Sequence, residues 1–310
     1  MELLNVHNVK KEYKNRNNSK FLAVDGVSFS VEEGKCIGLV GESGCGKSTL
    51  GKMIVGLEEI TEGNIIFQGE QIKQKKYKNK FKRELQMAFQ DSFDAVNRRN
   101  TACQIISEPL TNYYNISKKE IEEKVDDLLE KVGICSSERD KYPYQFSGGQ
   151  LQRICIARTL AANPKLVVLD EPLSSLDVSV QAQILNLLSD LKRDLNLTYI
   201  LISHDLEAVY YLSDSIIVMY GGKIMEQIDN IEDFHNMNHP YTRRLLASSP
   251  SYKSRLYNEN IEDLRIENTD NKTNGCPYFA RCVLSSDECE DICPPLREIK
   301  KGHKIACHVL

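Results

Sequence analysis

The stretch FSGGQLQRICIARTLAANPKLVVLDEPLSSLD, Phe146 to Asp177, decides how the rest of the chain is read. It joins a glycine turn, a helix-compatible segment, an apolar strand and two adjacent carboxylates without interruption. Ser147, Gly148, Gly149 and Gln150 form a turn that would expose backbone N–H groups at a helix start, an electropositive spot suited to phosphate oxygens. Leu166 to Leu169 reads as a short buried strand. At its exit stand Asp170 and Glu171, where one acid can hold magnesium and its neighbour can face an attacking water. Taken singly, these pieces are an ordinary helix, core strand and acidic turn. The ordered set points to half of a nucleotide-hydrolysing site.

The other half lies upstream. The apolar run Cys36 to Val40 leads directly into Gly41-Glu42-Ser43-Gly44-Cys45-Gly46-Lys47-Ser48-Thr49 and then a helical stretch. This is the G-x-x-x-x-G-K-[ST] pattern in its proper strand-and-helix setting. The glycines let successive amides curl around the α and β phosphates. Lys47 reaches the β and γ phosphates, and the Ser48 hydroxyl faces magnesium.

These residues resemble the nucleotide-binding subunits of ABC transporters, and the resemblance covers the whole chain. It implies an α/β P-loop NTPase fold: a RecA-like core with an antiparallel β subdomain and a helical signature subdomain, here followed by a Cys-rich C-terminal extension. Gly41 to Thr49 then correspond to the Walker A loop, Ser147 to Gln150 to the signature, and Leu166 to Glu171 to the Walker B strand with its catalytic glutamate. Gln90 corresponds to the Q-loop glutamine, Ser174 to Asp177 to the D-loop, and His204, after the strand-like Thr198 to Ser203, to the switch histidine. Phe146 stands where the family often has Leu. The resemblance implies ATP and Mg2+ as cofactors and Glu171 as general base. His204 would contact the γ phosphate, and Ser48, Gln90 and Asp170 would surround the magnesium. It also implies a head-to-tail dimer in which the signature turn of one subunit covers the ATP held by the other, so that a lone monomer hydrolyses poorly. Tyr13, after the strand-like Leu3 to Val9, corresponds to the aromatic that stacks on adenine; on chemistry alone it would be a half-buried surface residue.

Composition agrees with an enzyme: 310 residues, 41% hydrophobic, are enough chain for a full core. A formal net charge of -4 argues against nucleic acid as a partner. One basic run, Lys73, Lys75, Lys76, Lys78, Lys80, Lys82 and Arg83, reads as a solvated face, with anionic headgroups or phosphate as the alternative. No apolar stretch approaches the roughly eighteen residues of a membrane helix, and the first residues lack a signal-peptide core. The expectation is a peripheral subunit at the cytoplasmic face of the plasma membrane. Strands are expected around Leu3 to Val9, Val27 to Val31, Cys36 to Val40 and Asn64 to Phe67, then helices in the middle. Ser117 and Glu120 form a capping box, and Ile121, Val125, Leu128, Leu129 and Val132 share one helical face that should dock on the signature helix. Asp91 to Asn100 and a turn at Glu108-Pro109 are where a membrane subunit is expected to press.

Residues 1–234 are thus assigned to the ATPase domain, with the helical subdomain at about 91–160, and residues 235–310 to the extension. The extension narrows the family. Asn238-His239-Pro240-Tyr241-Thr242, with GCPYFARC, CPPLREI and GHKIACH, is similar to the tail of oligopeptide, dipeptide and nickel importer ATPases. The loop GESGCGKST and the F-Q-D and S-E-P-L elements are closest to the second (F-type) of their two unlike ATPases. Ala95 to Asn100 departs from that pattern by lacking its proline. The implied partners are a second ATPase subunit, two membrane permease subunits and, indirectly, an extracellular substrate-binding protein. The cargo would be peptide, with nickel or a metal chelate as the alternative. A soluble ABC ATPase without a transport role is the competing class, but the chain has neither a coiled-coil arm nor a second cassette.

Five of ten cysteines crowd the end: Cys276, Cys282, Cys289, Cys293 and Cys307. Little apolar sequence surrounds them, so metal ligation is the expectation. The spacing favours an iron-sulfur cluster over zinc, with unligated thiols also open. By the resemblance, Cys276, Cys282, Cys289 and Cys307 are the four ligands of a [4Fe-4S] cluster or Zn2+, and Cys293 is extra. His303 and His308 read as a surface basic tail, with ligand substitution as the alternative.

Overall fold

The computed structural model describes residues 1–14, 18–72, 79–174, 176–248 and 275–310. The chain opens with strands β1 (Glu2–Lys14), β2 (Lys20–Glu32) and β3 (Cys36–Val40), helix α1 (Lys47–Ile54), and strands β4 (Glu62–Phe67) and β5 (Glu70–Gln71). Alternation explains β2: Val27, Phe29 and Val31 are buried while Ser28 and Ser30 face out. It pairs antiparallel with β1, Val6 opposite Phe29, and the first sheet runs β2-β1-β4-β5.

Short helix α2 (Asn79–Glu84) and strand β6 (Leu85–Ala88) lead into a helical region of α3 (Ala102–Tyr113), α4 (Lys118–Lys131) and α5 (Gly148–Ala161). The chain then alternates through β7 (Leu166–Asp170), α6 (Val178–Leu195), β8 (Thr198–Ile202), α7 (Leu206–Leu212), β9 (Ser215–Tyr220) and β10 (Lys223–Ile228). Strands β3, β7 and β8 are buried at every residue. Such continuous apolar runs suit parallel strands covered on both faces. Strand β3 lies between β8 and β9, parallel to both, and β6 and β7 extend the parallel set. Alternate residues of β3 serve two cores, Ile37 and Leu39 toward the first sheet, Cys36 and Val40 toward the helices.

All three long helices of the helical region start with reciprocal capping boxes, Thr101 with Gln104, Ser117 with Glu120, and Ser147 with Gln150. The α4 face dips into the core as anticipated: Val125, Leu128, Leu129 and Val132 are buried, and Ile121 packs at their edge. The turn expected at Glu108-Pro109 is absent, because Pro109 sits inside α3. The Thr101 cap and the buried Ile105, Ile106 and Leu110 outweigh the one backbone donor that proline lacks.

The extension is a built part of the fold. Helix α8 (Pro240–Ser248) begins at the H-P-Y-T element, and strands β11 (Arg297–Lys300) and β12 (His303–Ile305) continue the large sheet on the β10 edge, in the order β11-β12-β10-β9-β3-β8-β7-β6. His303 is therefore no surface tail: it is buried, with Nε2 2.8 Å from Glu226, which also accepts the backbone N–H of Asn238 and His239. His308 Nε2 likewise lies 2.9 Å from the Ile292 carbonyl oxygen. Lys73, Lys75, Lys76 and Lys78 of the basic run lie outside the described residues; Lys80, Lys82 and Arg83 belong to α2. Among the described residues no helix is long and apolar enough to cross a membrane.

Candidate functional site

The carboxyl ends of β3, β6, β7 and β8 lie along one edge of the parallel sheet, the usual place for a ligand crevice in such folds. Gly41 to Thr49 leave β3 there and enter α1. Gly46 has φ 103°, and a Cβ on it would stand 2.1 Å from the Ala23 carbonyl oxygen, so the turn requires glycine. Gly46 is also the N-cap of α1 and offers no side-chain acceptor to its first amides. Lys47 is buried, and its Nζ donates to the carbonyls of Gly41 at 2.7 Å and Glu42 at 3.0 Å, close to the Cys45 thiol. Ser43 and Gly44 stay exposed at the tip.

Ser48 Oγ donates to Asp170 Oδ1 at 2.9 Å. Asp170 is buried, and desolvation raises its carboxyl above the ordinary range, with Glu171 adding to the rise. A buried carboxylate beside a hydroxyl is a fitting place for a divalent cation. Glu171 has a left-handed backbone, φ 47°, held by its N–H to the Ile202 carbonyl. Non-glycine residues avoid that region unless the surroundings impose it. Here it carries Glu171 Oε2 to 3.2 Å from His204 Nδ1, just past β8, and 3.4 Å from Gln90 Nε2, just past β6. Tyr13 is stacked on Phe21 at 5.6 Å and lies under Lys11 Nζ, 4.8 Å from its ring centroid.

A cleft of about 580 Å³ opens here, lined by Gly41, Glu42, Glu171, Ser174, His204 and Leu245, among others. A larger cleft of about 700 Å³, beside Lys35, Asp214 and Lys304, contains none of these residues. The signature residues Ser147 to Gln150 do not line the cleft of Glu171; they stand at the start of α5, with Ser147 exposed. Gly149 is closed against α6, where a Cβ would come 2.4 Å from Val180. Asp177 is exposed and caps α6 without a side-chain bond. Ser175 lies outside the described residues.

Among the described residues no group of three or more Cys, His, Asp or Glu side chains is placed to hold a metal ion. Cys276 and Cys289 belong to the main apolar core, Cys282 packs against it and Cys307 is buried. Burial pushes the Cys276 thiol up to about 12, and the neighbouring thiols of Cys282, Cys289 and Cys293 add to that. Tyr241 of α8 and Arg281 were missed from the sequence, although both reach Glu42 in the phosphate loop.

The sheet order, the phosphate loop and the carboxylate pair define an ATP-binding cassette. The chain matches the ABC transporter family over residues 24–174 and the oligopeptide/dipeptide transporter C-terminal region over residues 225–289. It is 43% identical over 293 residues to the oligopeptide transport ATP-binding protein AppF of Bacillus subtilis (strain 168), covering 93% of this chain and 89% of that protein. To the dipeptide transport ATP-binding protein DppF of Escherichia coli (strain K12) it is 41% identical over 288 residues, 92% and 86% of the two chains. Among solved structures, cbiO1 from Clostridium perfringens, part of the ABC transporter complex cbiONQ, aligns with a TM-score of 0.67 at 26% identity over 82% of this chain and 98% of that one. The dimeric post-hydrolysis state of the ATP-binding cassette MJ0796, bound to ADP and Pi, aligns at 0.65 and 26% identity, over 73% and 97%. The chain belongs to the ATP-binding subunits of the oligopeptide/dipeptide transporter family, ABC ATPases that use ATP and Mg2+.

Proposed function

We propose that this chain is the ATP-hydrolysing subunit of a peptide importer. Its ATPase domain spans residues 1–234 and its extension residues 235–310. The observation that carries the reading is the meeting of Glu171, His204 and Gln90 on one carboxylate oxygen beside Asp170 and Ser48. The relatives named above, which transport oligopeptides or dipeptides, support peptide as the cargo; nickel or a metal chelate is the alternative.

In the proposed mechanism the amides of Gly44 to Thr49 and Lys47 hold the phosphates, and Tyr13 stacks on adenine. Magnesium, when bound, neutralises charge on the phosphate oxygens beside Ser48, Asp170 and Gln90. Glu171 takes the proton from a water that attacks the γ phosphorus, the bond to the β-phosphate oxygen breaks, and ADP leaves. His204, 64% exposed in its side chain, swings from Glu171 to the γ phosphate. Ser147, Gly148, Gly149 and Gln150 cover the nucleotide of a second ATPase subunit, with Asp177 at the junction. The second-subunit resemblance favours an unlike partner, and two membrane permease subunits complete the assembly, with this chain peripheral at the cytoplasmic face of the plasma membrane.

The test is to tag the Glu171→Gln variant, solubilise host membranes with ATP and magnesium, and identify what co-purifies. Two permeases with a second ATPase support the reading. Recovery from the soluble fraction alone, with ribosomes or assembly proteins, would overturn the transport role.

A further inference from the structure

Glu42, the second residue of the phosphate loop, is gripped by the extension from two directions. Its backbone N–H donates to the Tyr241 hydroxyl at 2.6 Å. Its carboxylate accepts a two-pronged contact from Arg281, Nη1 to Oε2 at 2.8 Å and Nη2 to Oε1 at 3.0 Å. The carbonyl of the same residue accepts from Lys47 Nζ. A single residue therefore joins the extension to the ammonium group that faces the phosphates.

The grip is built into the core. Tyr241 and Tyr278 are buried, and their rings meet each other and Tyr220 at centroid distances of 4.7 to 5.3 Å. Arg281 lies over the Tyr220 and Tyr278 rings at 5.8 and 5.9 Å and donates to the Tyr220 hydroxyl at 3.2 Å. The hydrogen bond to Glu42 is the largest cause that raises the Arg281 pKa. Helix α8, which carries Tyr241, also supplies Leu245 and Ser248 to the wall of the cleft that holds Glu171 and His204.

We propose that Arg281 is a positioning residue for nucleotide: with Tyr241 it fixes Glu42, and through the Glu42 carbonyl the Lys47 side chain, so that ATP affinity depends on the docked extension. The proposal rests on the nucleotide site described above. A guanidinium suits the role because its planar fork fixes both carboxylate oxygens, whereas an ammonium supplies charge without orientation.

The experiment is calorimetric titration of the full-length protein with ATP and magnesium, reading Kd and stoichiometry separately. Arg281→Met is expected to weaken Kd about three- to tenfold at unchanged stoichiometry, the pair being partly solvent-screened. Arg281→Lys should fall between, and combining Arg281→Glu with Glu42→Arg should regain affinity relative to Arg281→Glu alone. Lys300→Ala removes a different tie of the extension to the core, the 3.1 Å pair with Asp233, and should leave Kd unchanged. Wild-type Kd in Arg281→Met, or a fall in stoichiometry alone, overturns the proposal. A wild-type protein that binds no ATP would instead overturn the nucleotide site itself.

Discussion

Helices α1 and α5 both begin at glycine-bearing turns, yet their first amides are treated in opposite ways. At α1 the N-cap is Gly46 in the left-handed region, with no side-chain acceptor. At α5 the N-cap is Ser147 in extended conformation; its Oγ accepts from Gln150 N at 3.3 Å, and Gln150 Oε1 accepts from Ser147 N at 3.0 Å. Four amides at a helix start need partners. The α1 start leaves that need for a phosphate bound within its own chain. The α5 start meets part of it internally, at the Ser147 and Gln150 amides, and keeps the Ser147 hydroxyl exposed. Gly149, pressed on Val180, ties this second start to α6 and Asp177.

The largest expected effect tests whether the chemistry lies on the α1 side alone. Glu171→Gln should lower turnover about a thousandfold, the range of a lost general base, while ATP affinity stays near wild type. ATPase rates and ATP titrations on one preparation check it; near-normal turnover would move the base elsewhere. Lys47→Ala should weaken ATP binding about ten- to a hundredfold, because charged hydrogen bonds to phosphate are lost. An unchanged Kd would mean that α1 is not the phosphate site, and the contrast with α5 would fail. Gly46→Ala should cost about 2 kcal/mol of folding stability in a denaturant melt, through left-handed strain and the Ala23 carbonyl in its path.

Much of this contrast was legible in advance, since the chemistry is local. Continuous apolar runs at Cys36–Val40 and Leu166–Leu169 report strands covered on both faces, and capping boxes are written within four residues. Pro109 misled because a helix anchored by a cap and three buried residues tolerates a missing donor. Strand β11 is exposed at every residue and shows no alternation, so only its backbone pairing with β12 reveals it. Counting thiols says nothing about whether they face an ion or a core, and the burial of Cys276 and Cys289 in the apolar core was not readable from their spacing. The Arg281–Glu42 contact spans 239 residues in sequence, beyond any local pattern.

The smallest effect separates the two roles of Ser147. Ser147→Ala removes the acceptor for Gln150 N and should cost about 1 kcal/mol of stability, as a lost N-cap does. If capping were its only role, ATPase activity at saturating ATP and high protein concentration would stay normal wherever the variant remained folded. The proposed role across a subunit interface predicts a different signature: ATP binding to the isolated protomer unchanged, and the concentration-dependent part of hydrolysis lost. Measuring the rate against protein concentration, with the partner ATPase titrated in, distinguishes the two. A variant that loses stability but keeps the full cooperative rate would make the α5 turn a structural start alone, and the asymmetry between the two helices would reduce to capping.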